Sequence, residues 1–243
     1  MPLNENPSKS SAEMPALFPK DAKCMLLSDS MTNNVVPIQG LEIWTYPGQT
    51  PNGLAQVLEE RQLPFEDCMV VGFNVGTNRL DYARQRWKCT PKAQAEQVIA
   101  EIRGMLQKMR KANPRAFVIL FTVIPRPVDH AKTHKACQLF NQMLYHECKR
   151  ARYGYAPTWR TFAEKMPKGP SQPTSRQHQQ MPPLVPKREL FTSKGLHLTN
   201  AGADLLRQRI AFYFHPTNIA QMMARARWRL EDKQRWDANN PRN

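Results

Sequence analysis

Short apolar runs that each end in a polar cluster limit what this chain can fold into more than any other feature. The longest, residues 116–124, is apolar apart from one threonine, which is typical of a strand covered on both faces. Further strand-like runs lie at residues 24–27, 41–46 and 68–73. Helical patterns follow them, at residues 52–61, from Thr90 onward, at 130–150 and at 200–214. The alternation predicts parallel β-α-β units and a three-layer α/β/α, flavodoxin-like sheet.

The polar clusters stand where these strands end. They are residues 28–30, Gly48 after the second run, and residues 74–78. Functional groups of parallel sheets gather at the carboxyl ends of the strands. We therefore expect these clusters to meet at one edge of the sheet.

The residue types at that edge suit acyl transfer, which needs a deprotonated hydroxyl and donors for the oxyanion that forms. Ser30 offers a hydroxyl, Gly48 an unobstructed backbone N–H, and Asn78 a side-chain amide. His197, just before the helix that Asn200 is predicted to cap, is the candidate base.

Four segments taken together resemble the four motif blocks of the SGNH/GDSL hydrolase superfamily. They are Ser28-Asp29-Ser30, Gly48, Val75-Gly-Thr-Asn78 and Gly195-Leu-His197-Leu-Thr, within a resemblance that spans about residues 24–214. The resemblance implies a Ser–His esterase that acts on a small acyl ester or a lipid. Ser30 would be the nucleophile, the Ser30 and Gly48 N–H groups and the Asn78 amide the oxyanion hole, and His197 the base and then the acid. It implies neither a metal nor an organic cofactor.

Three positions depart from the family pattern. Ser28 replaces the usual glycine, Arg79 follows Asn78 where the family has an aspartate, and Lys194 stands where the triad acid is expected. Loss of a triad acid costs about 10⁴-fold in rate in the serine-protease template. A Ser–His dyad and a catalytically inactive module both remain open.

Residues 121–127 and 190–202 look like SGNH modules of LINE-type retroelement proteins. The SGNH-like domain of the germ-plasm protein Oskar, which lacks a triad and binds RNA, is a related precedent.

The charge balance favours a polyanionic partner. Thirty-five basic and 20 acidic residues give a formal net charge of +15. Basic residues predicted to contact RNA or DNA are Arg79, Arg84, Arg86, Lys88, Arg225, Arg227 and Arg229. Solvated loops and a basic helix that packs back on the domain are the alternatives.

The rest of the chain divides around this domain. Residues 1–21 are predicted to be a flexible leader, 22–216 the hydrolase-like domain with a loop insertion at 165–188, and 217–243 a basic amphipathic helix that could also meet a partner protein. Five cysteines without a CxxC pair, and no signal peptide or apolar run of spanning length, predict an intracellular protein. His130 and His134 lie one helical turn apart without an evident third ligand, so we predict surface residues and no metal site.

Overall fold

A five-stranded parallel sheet forms the centre of the molecule in a computed structural model, which describes residues 22–60, 67–80, 89–165 and 184–226. The strand order is β2-β1-β3-β4-β5, so the chain moves outward from β1 to β2, crosses over β1 to β3, and then continues outward to β4 and β5. The strands are β1 (Cys24–Ser28), β2 (Leu41–Thr45), β3 (Val70–Asn74), β4 (Phe117–Phe121) and β5 (Gly154–Ala156). The parallel pairing confirms the predicted α/β/α class.

Helices cover both faces of the sheet. They are α1 (Pro51–Glu60), α2 (Thr77–Leu80), α3 (Pro91–Ala112), α4 (Ala131–Ala151), α5 (Trp159–Phe162), α6 (Asn200–Phe214) and α7, which is helical over residues 216–226. Short 3-10 helices lie at Ser30–Thr32 and Arg188–Leu190. No helix in the described ranges is both long and apolar enough to cross a bilayer.

The central strands β1, β3 and β4 are buried along their whole length, which explains their continuous apolar sequences. Alternate side chains point to opposite faces of the sheet. Leu27, Phe73 and Leu120 enter a core cluster shared with α1, α3 and α4. Leu26 and Phe121 enter a second cluster shared with α6 and α7.

The first turns of α3 and α6 test the capping residues that were predicted from the sequence. Thr90 caps α3 as predicted, because its hydroxyl accepts the Ala93 N–H at 3.2 Å and Pro91 takes the first helical position. The predicted cap of α6 is wrong by one residue. Thr199, not Asn200, accepts the Gly202 N–H at 3.1 Å, and Asn200 is the first helical residue.

The structure adds detail to two segments that the sequence described only in outline. The predicted insertion 165–188 is bounded by a small antiparallel pair, β6 (Ala163–Lys165) with β7 (Leu184–Pro186), while residues 166–183 lie outside the described chain. Residues 216–226 pack back on the domain: Ile219 and Ala226 are buried in the second core cluster. The leader 1–21 also lies outside the described residues.

Candidate active site

The first motif block forms a tightly held turn at the carboxyl end of β1. The Asp29 N–H donates to Asn74 O at 3.1 Å, and Asp29 Oδ1 accepts the Met31 N–H at 3.1 Å. Asp29 therefore caps the 3-10 helix that Ser30 begins. Ser30 itself is half-buried, so part of this residue is accessible from solvent.

Burial raises the pKa of Asp29 to about 6, although the Met31 N–H, Thr77 and the Arg126 guanidinium act in the lowering direction. The carboxyl is fully buried, and its Oδ2 atom has no hydrogen-bond partner among the described residues. An ionised carboxylate beside Ser30 thus carries a desolvation cost that these contacts offset only in part.

The second block is a tight turn against the first. The Gln49 N–H donates to Tyr46 O at 3.2 Å, and Gly48 between them has φ +77°, as the third residue of a type II turn requires. The Tyr46 N–H donates to Ser28 O at 2.8 Å, which brings this turn beside the turn of Ser30. Only glycine takes this backbone conformation without strain.

The third block reaches the second through Asn78. This residue lies in the single turn of α2 and is 5% exposed, and its Nδ2 donates to Gln49 O at 3.1 Å. Over the described chain, neither the Ser30 N–H nor the Gly48 N–H donates to another residue. The three segments therefore meet at one edge of the sheet, with two backbone donors left for a ligand.

The loop that carries His197 is held by its own backbone hydrogen bonds and by the second core cluster. The His197 carbonyl accepts the Thr192 N–H at 2.8 Å, and Leu198 bridges to Phe191. Leu198 and Met31, the residues that follow His197 and Ser30, belong to the same buried cluster on the second face of the sheet. Both loops thus lie over one side of β1.

The histidine ring makes no hydrogen bond to any residue that the structure describes, and no carboxylate in those ranges approaches it as an acceptor. Lys194, in the position of the family's acid, is exposed. Of the aspartates that could stand in for the missing acid, Asp204 on α6 is exposed and Asp81 lies outside the described ranges. The pairing of Ser30 with His197 stays a prediction.

Sequence reasoning missed a buried ion pair after β4. The Arg126 Nη2 donates to Asp129 Oδ1 at 2.7 Å, both side chains are 3% exposed, and the Arg126 N–H donates to Asp129 Oδ2 at 2.9 Å. His134, predicted at the surface, is half-buried and donates through Nε2 to Arg126 O at 2.8 Å. The sequence signal that could have revealed this pair is an arginine and an aspartate three residues apart, with a proline on each side of the arginine.

The loop that holds this ion pair packs against the histidine loop. Gly195 has φ +65°, and a Cβ there would lie 3.1 Å from Pro127 Cβ and 3.1 Å from the Val128 N atom. The loop after β4 and the loop of His197 are therefore in direct backbone contact.

Among the described residues, no three His, Cys, Asp or Glu side chains are grouped to hold a metal ion.

The predicted nucleic-acid contacts are only partly within the described structure. Arg79 pairs with Glu101 at 2.7 Å between side chains that are 20% and 7% exposed, and Arg225 is exposed on α7. Arg84, Arg86, Lys88, Arg227 and Arg229 lie outside the described ranges. Their contact with RNA or DNA stays a prediction.

Solved structures of lipases and acylhydrolases match this chain. A GDSL-like lipase from Bacteroides thetaiotaomicron aligns over 81% of this chain and 90% of its own, with TM-score 0.56 and 18% identity. A putative acylhydrolase from Bacteroides fragilis aligns over 82% and 89%, with TM-score 0.57 and 18% identity. A protein described as a putative platelet activating factor from Streptococcus pneumonia aligns over 79% and 84%, with TM-score 0.56 and 16% identity.

The match to a retrotransposon protein is weaker, and two comparisons found no match. The esterase domain of a zebrafish retrotransposon protein aligns with a TM-score of 0.37, so the retroelement branch stays a prediction. Neither a family model nor a curated protein matches the chain. Identities below 20% to the three structures above establish architecture rather than activity. The chain therefore has the α/β/α fold of the SGNH/GDSL-like hydrolases.

Proposed function

We propose that the chain is an SGNH-type serine hydrolase that cleaves acyl esters, with Ser30 as nucleophile and His197 as base. The observation that carries the proposal is the junction of the first three motif blocks. The Tyr46 N–H meets Ser28 O at 2.8 Å and Asn78 Nδ2 meets Gln49 O at 3.1 Å, around the unengaged N–H groups of Ser30 and Gly48. Backbone N–H groups without a partner in the described chain, beside a side-chain amide at the same edge of the sheet, support the proposal because an oxyanion needs such donors.

The proposed reaction has two halves. The Ser30 hydroxyl attacks the ester carbonyl while His197 takes its proton, and the Ser30 and Gly48 N–H groups and the Asn78 amide hold the oxyanion. The tetrahedral species collapses, and His197 returns the proton to the departing alcohol. Water, deprotonated by His197, then cleaves the acyl-serine and releases the acid.

Turnover should be slow compared with a full triad, because the exposed Lys194 cannot orient the His197 imidazole as a carboxylate does. Removing the acid costs about 10⁴-fold in the serine-protease template. Hydrolysis of an activated ester therefore offers the best chance of detection.

The test compares p-nitrophenyl acetate hydrolysis by wild type, Ser30→Ala and His197→Gln. Ser30→Ala should abolish turnover above the uncatalysed rate, and His197→Gln should lower kcat by about 10²–10⁴-fold. His130→Gln is the matched control, since His130 is exposed at the start of α4 and makes no side-chain cap bond. Equal rates in wild type and Ser30→Ala would contradict the proposal.

A fluorophosphonate probe gives a readout that does not depend on turnover. Attack by Ser30 Oγ displaces fluoride and leaves a stable phosphonyl-serine, which mass spectrometry locates in the peptide that contains residues 24–32. Labelling elsewhere, or labelling that persists in Ser30→Ala, would count against Ser30 as nucleophile.

A second candidate function is binding of RNA or DNA by a basic surface. The net charge of +15 and the exposed Lys194 in the position of the acid favour it. Affinity should then fall steeply as salt rises, because bound phosphates release counterions. Absence of binding at low salt would end this candidate. The two functions do not exclude each other.

A further inference from the structure

A groove of about 780 Å³ lies along the free edge of the sheet. Its floor is the edge strand β5, and its walls come from α4 on one face and from α7 with the end of α6 on the other. Ser30, Gly48, Asn78 and His197 do not line it, so it is separate from the candidate active site.

Six of the described residues that line this groove, which we call the β5 groove, are aromatic. Tyr145 is 44% exposed and Phe212 is 49% exposed, which is unusual for large rings that line a cavity. The Tyr145 ring packs edge-on against Tyr155, with centroids 5.3 Å apart at 71°, and the Tyr155 hydroxyl donates to Asn141 O at 3.4 Å. The exposed ring is therefore backed by a second ring that is itself held in place.

The charged side chains that line the β5 groove are all basic: Lys149, Arg160 and Arg225, each of them exposed. The Arg160 guanidinium lies 5.8 Å from the centroid of the Trp159 ring, within the range of a cation–π contact. Among the described residues, no acidic side chain lines the groove. A ligand that matches this lining carries negative charge and presents flat faces.

Side-chain amides complete the lining. Gln142 and Gln221 are exposed on opposite walls, and Asn218 stands near the start of α7. Amides both donate and accept hydrogen bonds, as the edges of nucleobases require. A lipid acyl chain would use neither the amides nor the three cations.

We propose that the β5 groove binds single-stranded nucleic acid, with bases stacked on Tyr145, Trp159 or Phe212 and phosphates held by Lys149, Arg160 and Arg225. Base stacking on aromatic rings beside a basic track is how proteins hold single strands without reading sequence. The volume lies within the range of pockets that enclose a drug-sized molecule, so it accommodates about one or two nucleotides. A duplex, whose base faces are already stacked, does not fit. This inference rests on the second candidate function and gives it a site.

The experiment measures fluorescence anisotropy of a labelled 12-nucleotide oligouridylate with the full 243-residue chain at 50 mM salt. Trp159→Ala and Tyr145→Ala should each weaken binding roughly tenfold, as loss of a stacking platform does. Trp44→Ala is the matched control, because Trp44 lies on β2 at the opposite edge of the sheet. It should bind like wild type. A thymidylate strand and an RNA duplex, run alongside, separate RNA from DNA and single strands from double.

The phosphate contacts have their own pair of variants. Lys149 and Lys111 both lie in the last turn of a helix, α4 and α3 respectively, and both are exposed. Lys149→Gln should weaken binding and reduce the salt dependence by about 0.7 in the slope of log K against log salt. Lys111→Gln, outside the groove, should change neither.

Each result decides something. Binding that is unaffected in Trp159→Ala, Tyr145→Ala and Lys149→Gln would overturn the groove while leaving the second candidate function intact. No binding by wild type at low salt would overturn both. A poly-glutamate peptide that binds with the same sensitivity to Trp159→Ala would make the groove a site for acidic peptides and refute base stacking.

A crosslinking experiment on the wild-type chain tests the proposal without relying on variants, which can fail to fold. Oligonucleotides with 4-thiouridine, irradiated with the wild-type chain, should crosslink to peptides that contain Tyr145, Trp159 or Phe212. Crosslinks confined to residues 81–88 or 227–243 would overturn the proposal.

Discussion

Replacing Asp29 with asparagine should stabilise the protein at neutral pH. Burial raises the pKa of Asp29 from 3.8 to about 6, so the folded state disfavours the charged form that the unfolded chain carries at pH 7. Each pKa unit corresponds to about 1.4 kcal/mol, so the cost at neutral pH is about 3 kcal/mol. Asparagine keeps an oxygen that accepts the Met31 N–H, at 3.1 Å from Asp29 Oδ1 in the wild type.

The pH dependence has a definite sign. Between pH 3.8 and about 6 the folded protein binds more protons at Asp29 than the unfolded chain does. The contribution of this group to stability therefore falls as the pH rises through that window. The advantage of Asp29→Asn should be small near pH 4, grow through pH 6 and then level off at about 3 kcal/mol.

Urea denaturation between pH 4 and pH 8 measures this difference directly, with the free energy of unfolding compared at each pH. Asp67→Asn is the control, since the Asp67 side chain is 82% exposed and pairs with Lys23 only at 3.8 Å. It should change stability by less than about 1 kcal/mol. An advantage of Asp29→Asn that stays constant from pH 4 to pH 8, or none at all, would refute the reasoning.

Three further substitutions test the loops around the candidate site. Gly195→Ala should lower both stability and ester hydrolysis, because Gly195 has φ +65° and a Cβ there would press on the loop after β4; Gly104→Ala, with nothing within 4 Å, should instead raise the free energy of unfolding by about 0.5–1 kcal/mol. In urea titrations, equal effects of the two would contradict this. Thr199→Ala should cost about 1 kcal/mol in thermal unfolding, whereas Asn200→Ala should stay within about 0.5 kcal/mol; the reverse order would restore Asn200 as the cap. Arg126→Met leaves its partner carboxylate buried without a cation and should cost about 3–5 kcal/mol by urea denaturation, so a loss below about 1 kcal/mol would argue against a structural ion pair.

Local patterns were sufficient to predict the central strands, most helices and the position of the motif blocks. A buried parallel strand must be apolar along its length, so residues 117–121 were recognisable without knowledge of their neighbours. The start of α3 was equally local, because the cap of Thr90 and the ring of Pro91 act within one turn of helix. The turn at Gly48 is also a local feature, because it depends on the positive φ angle of Gly48 itself.

Features that depend on distant partners were missed. Strand β5 has three residues and no periodic signal, and it exists because Ile119, Leu120 and Phe121 of β4 pair with it. The β6–β7 pair likewise joins segments on either side of a stretch without helical or strand periodicity. The alternation of neighbouring side chains cannot reveal such pairings, since they are made between residues far apart along the chain.

The sequence alone determined the α/β/α class and the edge of the sheet where Ser30, Gly48 and Asn78 gather. The alternation of strands with helices indicates parallel strands, and the residues of each turn can be recognised from neighbouring positions. Only the tertiary structure decided that Arg126 and Asp129 are buried together and that Arg79 pairs with Glu101. It also decided that aromatic and basic side chains from α4, β5 and α7 line one groove. Burial and charge pairing depend on which elements pack against each other, and that arrangement is set by the whole fold rather than by any single segment.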